Sequence, residues 1–312
     1  MRAALSALFG GSPDDYALVT STGVGIGYAA SGYEWRRGDN VVVPQDEHWN
    51  ATFPWLALRE RGVECRLVPV DGNQRVDPEA IAAAMDGNTR MLATTAVRFN
   101  TGFRADLKRL SAMAHDRDAL FVVDGIQAAG VCPIHVQEDG IDVLACAGFK
   151  WLLGMPGTGF LYANERARER IRPVLPGMYA AVHDTRKLDY HADARRYETG
   201  TLAYSLFHAW TAGLEILEEI GISRIHERVL ELTDALLAGL DARGIEVVSP
   251  VDGVGERSAI LSFTLGSEEA NRGLQEKLMA QGINVALRDG RIRVSPNFFN
   301  TEGEIDRLLT EL

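Results

Sequence analysis

One stretch, Phe121 to Lys150, limits the possible folds more than any other part of the chain. Its first apolar run, Phe121, Val122 and Val123, ends on Asp124, and its second, Asp142 to Cys146, leads to Lys150. Short apolar runs rich in β-branched residues read as strands buried on both faces, the habit of parallel sheets. Parallel strands end at one edge, so the carboxylate and the amine meet at the edge where open α/β sheets bind ligands. A lysine between Phe149 and Trp151 is costly to bury unless it has a partner.

The rest of the chain supplies a frame for that pair. Tyr16–Thr20, Asp39–Pro44, Glu64–Val70 and Arg90–Val97 read as further strands. Ser21–Ala30 and the VDPEAIAAAM segment read as helices between them, an alternation that implies a mainly parallel central sheet with helices on both faces. Tyr204 to Leu240 has the Leu/Ile stripe of long amphipathic helices, and from about Gly244 the order becomes strand, strand, helix, strand, strand, helix. The expected fold class is α/β, with a large domain over residues 1–240 and a small α+β domain over residues 241–312.

Composition excludes several classes of function. A net charge of -11 without a long basic run argues against a nucleic-acid or anionic-membrane partner. No run of eighteen apolar residues could span a membrane. The opening MRAALSALFGGSPDD reads as a helix, because it turns acidic without a small-residue cleavage site; a cytoplasmic location is expected. Cys65, Cys132 and Cys146 form no C-x-x-C pair and no Cys/His cluster, so neither a metal nor a disulfide framework is expected. Cys65 and Cys146 lie in apolar runs and read as inert thiols.

Ser21 to Ala30, STGVGIGYAA, is a glycine-rich turn opening a helix, where unpaired N–H groups suit a phosphate. A dinucleotide-binding oxidoreductase would need G-x-G-x-x-G, but Gly23 and Gly25 are followed by Tyr28 at the last required position. The phosphate of pyridoxal 5′-phosphate fits better, since Ser21 and Thr22 add hydroxyls beside the amides of the turn. The same cofactor needs a lysine for a Schiff base and an acid that keeps its pyridine nitrogen protonated. Lys150 and Asp124 are that pair.

With DGIQ, GFKW, GTGF, ETGT and RVSPNFFN in this order, the chain from about Thr20 to its end resembles the class V aminotransferases of the fold-type I pyridoxal-phosphate enzymes. That family also contains cysteine desulfurases, kynureninase and isopenicillin N epimerase. The resemblance implies that His48, beside Glu47, stacks on the cofactor ring, and that Gln127 meets its phenolic oxygen. Thr22 and Gly23 hold the phosphate, helped across a homodimer by Gly200 and Thr201 of the other subunit. Arg293 grips the substrate carboxylate, and Arg291 is placed on the opposite strand face. Trp49 either shares the stacking or narrows the pocket. Arg98 either meets an acidic substrate group or lies on the surface, and Asn100 is given no contact.

Departures from the family bear on the reaction. Desulfurases commonly have serine and histidine where this chain has Ala147 and Phe149, and they present a sulfur-accepting cysteine between Ile283 and Arg293, where none occurs here. Family members usually carry several dozen residues before the first strand, which this chain reaches almost at once. The expected function is transamination of an amino acid. The alternatives are C–S lyase or epimerase chemistry without a protein persulfide and, from another class, a catalytically silent binding protein of this fold.

Overall fold

The computed structural model describes residues 1–72, 74–182 and 186–312. The chain begins with α1 (Arg2–Phe9), β1 (Tyr16–Val19), α2 (Thr22–Gly32), β2 (Asn40–Pro44), α3 (Trp49–Leu56), β3 (Glu64–Val68) and α4 (Pro78–Ala84). It continues through β4 (Thr89–Thr95), α5 (Leu107–His115), β5 (Leu120–Asp124), β6 (Val143–Ala147), β7 (Gly159–Ala163) and α6 (Glu165–Arg170). Two long helices, α7 (Tyr204–Ile220) and α8 (Ile222–Asp241), lead to β8 (Glu246–Val247), β9 (Leu261–Thr264) and α9 (Glu268–Ala280). A hairpin of β10 (Ala286–Arg288) and β11 (Arg291–Val294) precedes α10 (Glu302–Thr310).

The expected mainly parallel sheet is present, in the order β1-β7-β6-β5-β4-β2-β3. Every strand but β7 runs the same way; β7 pairs antiparallel with both β6 and β1. Sequence reading gives no strand over Gly159–Ala163, because this short buried run is overshadowed by the glycine-rich turn before it. It likewise gives no helix over α3 or α5, although Asp106 caps α5 by accepting from the Arg109 N–H.

Alternation along β5 shows why the sheet must be covered on both sides. Phe121 and Val123 face a cluster built with Leu5 of α1, Leu110 of α5 and Leu214 of α7. Leu120 and Val122 face another, with Ile26 of α2 and Trp55 of α3. Helix α2 lies close on the sheet because residue 25 is glycine: a Cβ there would stand 2.7 Å from the Cβ of Ala145 on β6.

The small sheet, in the order β10-β11-β9-β8, has its own core. Leu232, Leu236 and Leu240 of α8 pack there with Phe263, Ile292 and Leu308, so this core draws on residues that precede 241. The loop after β4 holds the two sheets together. Ser262 and Ser258 donate to the carbonyls of Asn100 and Gly102, and Arg104 N donates to the Glu256 carbonyl. Gly102 has φ +77°, and a Cβ there would run into the Ile260 carbonyl, so only glycine permits this approach. Among the described residues no helix is long and apolar enough to cross a membrane, and no cluster of His, Cys, Asp and Glu could hold a metal.

Candidate active site

Five chain segments at the C-terminal edge of the large sheet line one cavity of about 190 Å³. Ser21 and Thr22 come from the turn after β1, and His48 and Asn50 from the connection after β2. Thr95, Val97 and Phe99 close β4, Asp124 and Gln127 follow β5, and Ala147, Phe149 and Lys150 follow β6. Sequence reading names Thr22, His48, Asp124, Gln127 and Lys150 for one site, and the fold brings all of these to this cavity.

Asp124 is buried, and its Oδ1 accepts the Ile126 N–H at 2.9 Å. Burial pushes its pKa up to about 7; the Ile126 N–H and the Lys150 charge pull it down, while the Glu47 carboxylate pushes it up. Lys150 is half-buried, and burial lowers its pKa against the pull of Asp124, with Arg293 and Arg288 adding to the lowering. The pair is thus biased toward a neutral amine beside an acid that can hold a proton near neutrality.

His48 is the N-cap of α3, its Nδ1 accepting the Asn50 N–H at 3.2 Å. Its ring meets Phe99 edge-on at 5.4 Å, and burial, then the charges of Lys150 and Arg288, lower its pKa. Phe99 and Phe149 are therefore the aromatic side chains that line the cavity with His48. Trp49 does not line it and is 68% exposed. The Gln127 Oε1 accepts from Trp151 Nε1 at 3.3 Å, which fixes the side-chain amide and leaves its NH₂ without a protein partner among the described residues. Thr22 Oγ1 accepts the Ala147 N–H at 2.9 Å, joining the start of α2 to the end of β6.

Gly23, Gly200, Thr201 and Arg293 lie outside the lining. Gly23 follows Thr22 on α2, with the Asn50 side chain as the nearest neighbour its Cβ would meet, at 3.5 Å. Thr201 is exposed on the loop before α7, on the outside of the single chain. Arg293 is half-buried on β11, where its Nη1 donates to the carbonyl of Phe99. Its Nε is buried without a partner, and burial together with Arg288 brings its pKa down to about 10.

The structure corrects two expectations about arginines. Arg291 does not alternate away from Arg293: residues two apart share a strand face, and β11 buries Ile292 and Val294 while Arg291 and Arg293 stay half-exposed. Arg98 is not a surface residue. It is buried, 3.5 Å from the Glu47 carboxylate, and its Nη2 donates to the carbonyls of Gln45 and Asp46 and to Gln74 Oε1. Glu47 in turn accepts from the Thr95 hydroxyl at 2.6 Å and the Thr95 N–H at 3.1 Å. Arg98 and Glu47 together brace the segment that carries His48.

Sequence reading missed Arg288 and gave Asn100 no contact. Asn100 Nδ2 donates to Asp289 Oδ2 at 2.8 Å, linking the large sheet's edge to the β10–β11 turn. The signal for Arg288 was the Asp289-Gly290 pair between two short strand patterns, a strong hairpin mark. In that hairpin Arg288 pairs with Arg291 and Ala286 with Arg293, so all four share the face opposite Ile292.

The donor set fits pyridoxal 5′-phosphate: a buried acid with one protein hydrogen bond, an amine biased toward neutrality, an imidazole face, a free amide NH₂ and a hydroxyl at a helix start. Ala147 offers no hydroxyl where desulfurases commonly have serine. Cys132 and Cys146 are buried, and Cys65 lies on β3.

Residues 1–308 match the family described as "Aminotransferase class-V". A probable cysteine desulfurase of Methanothermobacter thermautotrophicus is 30% identical, the match covering 98% of this chain and 80% of that protein. An uncharacterised aminotransferase of Bacillus subtilis is 27% identical over 98% of this chain and 80% of its own length. The fold is shared with the cystine C–S lyase C-DES in complex with cysteine persulfide, at a TM-score of 0.92 and 23% identity, covering 99% of this chain and 84% of that one. It is also shared with an apo cysteine desulfurase of Thermococcus onnurineus, at a TM-score of 0.91 and 22% identity, covering 99% and 81%.

Proposed function

Because this chain belongs to the class V aminotransferase family, we propose that it is a pyridoxal-phosphate enzyme that moves the amino group of a primary amino acid, with Lys150 carrying the cofactor. The observation that supports this most is the convergence of Asp124 and Lys150 in one cavity, each shifted by burial in the direction the chemistry needs. When bound, the cofactor supplies an electron sink for the charge that develops at the substrate's α-carbon.

The chain's own residues then have distinct tasks. Asp124 holds the proton on the pyridine nitrogen, and His48 covers the ring face. Gln127 donates its free NH₂ to the phenolic oxygen. Thr22 and Gly23 hold the phosphate at the start of α2, with Thr201 contributed by a second copy of the chain in a homodimer. Arg293, with its unpartnered Nε, orients the α-carboxylate. Lys150, as a neutral amine, would hold the cofactor covalently and would carry the α-proton.

Transamination is favoured over desulfuration because no cysteine lies between Ile283 and Arg293, and the described cysteines do not line the cavity. The second reading is C–S bond cleavage without a protein persulfide. The names of the archaeal relative and of the C–S lyase neighbour favour it.

Incubation of the cofactor-loaded protein with amino acids and 2-oxo acids distinguishes the two. A new amino acid that appears with consumption of the 2-oxo acid supports transamination. Pyruvate and sulfide released from cysteine, without amino transfer, would replace it with the lyase reading.

A further inference from the structure

The hairpin of β10 and β11 turns two differently coloured faces to its surroundings. Leu287 and Ile292 point into the small core. The other face carries Arg288, Arg291 and Arg293 with one small residue, Ala286, and all of its charges are positive. Like charges side by side on a sheet repel, so such a face is retained at a cost in stability unless an anion answers it.

Among the described residues no carboxylate forms an ion pair with any of the three. Asp289 is engaged by Asn100 at 2.8 Å. Glu268, near the turn at Gly290, is engaged by Arg272 at 2.6 Å. The one hydrogen bond Arg288 donates within the described residues goes to the neighbouring Leu287 carbonyl. The hairpin is nevertheless anchored over the cavity: Arg293 reaches the carbonyl of Phe99, a lining residue, and Asp289 is tied to the same loop. The charge of Arg288 is felt at His48, Lys150 and Arg293 alike.

We propose that Arg288 is a specificity-determining residue that binds a second acidic group of the substrate, so that the favoured substrates are dicarboxylic amino acids and their 2-oxo acids. Arg293 and Arg288 occupy diagonal positions of the ribbon, about 7–8 Å apart at the backbone. Two guanidiniums on long side chains from such positions suit a short diacid held at both ends, each fork matching one carboxylate. Ala286, opposite Arg293, leaves room between them. This rests on the assignment of Arg293 to the α-carboxylate; it does not depend on which bond the enzyme breaks.

The test is equilibrium binding to the cofactor-loaded protein by calorimetry, with succinate and glutarate as diacids and propionate and butyrate as monoacids. The wild type is expected to bind the diacids at least about tenfold more tightly, a difference of roughly 1.4 kcal/mol. Arg288→Ala should abolish the preference and leave monoacid binding within about twofold. Arg288→Lys should restore part of it, and Arg291→Ala should retain it. Equal binding of diacids and monoacids by the wild type, or an intact preference in Arg288→Ala, overturns the proposal. A diacid preference lost in Arg288→Ala, in a protein that performs no amino transfer, would sustain this inference while removing the transaminase reading.

Discussion

The Asn100 side chain donates to the Asp289 carboxylate at 2.8 Å, joining the loop beyond β4, which carries Phe99 into the cavity, to the turn that carries Arg288. One hydrogen bond thus couples the edge of the cavity to the ribbon that carries the arginines.

Removing that link should affect substrate binding before chemistry. A hydrogen bond to a charged group contributes about 1.5–3 kcal/mol, less where water competes. Asn100→Ala is expected to raise KM by about three- to tenfold with kcat changed little and cofactor absorbance unchanged. Steady-state kinetics beside the absorption spectrum reads both.

Lys150→Ala should abolish covalent cofactor attachment. Borohydride treatment followed by intact-mass measurement is expected to add a reduced cofactor to the wild type and nothing to the variant, and turnover should fall by at least about 10³-fold. Retained turnover would remove Lys150 from the chemistry.

Asp124 makes stability depend on pH. Its folded pKa is raised from 3.8 to about 7, so the folded state binds the proton more tightly. The associated stability is fully present below pH 4 and is lost as pH rises through about 7. In cofactor-free protein, Asp124→Asn should therefore gain on the wild type as pH increases across that window, by up to about 4 kcal/mol, and hold the gain above it. Denaturant unfolding at a series of pH values measures the gap; a gap that does not change with pH would show that Asp124 is not raised.

Gly25→Ala would place a methyl group 2.7 Å from Ala145 Cβ and lift α2 from β6. Overpacking of this kind costs about 1–3 kcal/mol. Because the same helix start carries Thr22, cofactor affinity should fall together with the unfolding midpoint, and a fluorescence titration of the cofactor checks the link.

The parts of the site legible in the sequence are those that end buried strands. Asp124 and Lys150 could be read because β5 and β6 are continuous apolar runs whose direction fixes the edge at which they stop. The arginines could not be sorted the same way. Arg98 lies just past β4 as Asp124 ends β5, but its role as a buried strut depends on Glu47 and the carbonyls of residues 45 and 46, distant in sequence. Arg288 lies outside the lining, and its charge reaches His48 and Lys150 only because the register of the β10–β11 hairpin carries it there. Counting strand parity along RIRV would have kept Arg291 and Arg293 on one face, as the structure has them. β7 escaped notice because GFLYA is a short run directly behind a glycine-rich turn, and its antiparallel direction is a property of pairing that nothing local announces.

The acid and the amine stand on the large sheet, whereas the arginines ride on a ribbon of the small one, residues 286–294. On the proposed assignment, reactivity and substrate choice therefore sit on separate pieces of chain. Exchanging that ribbon between relatives would act as swapping a cassette, changing which acid is admitted while the machinery beneath it stays as it was.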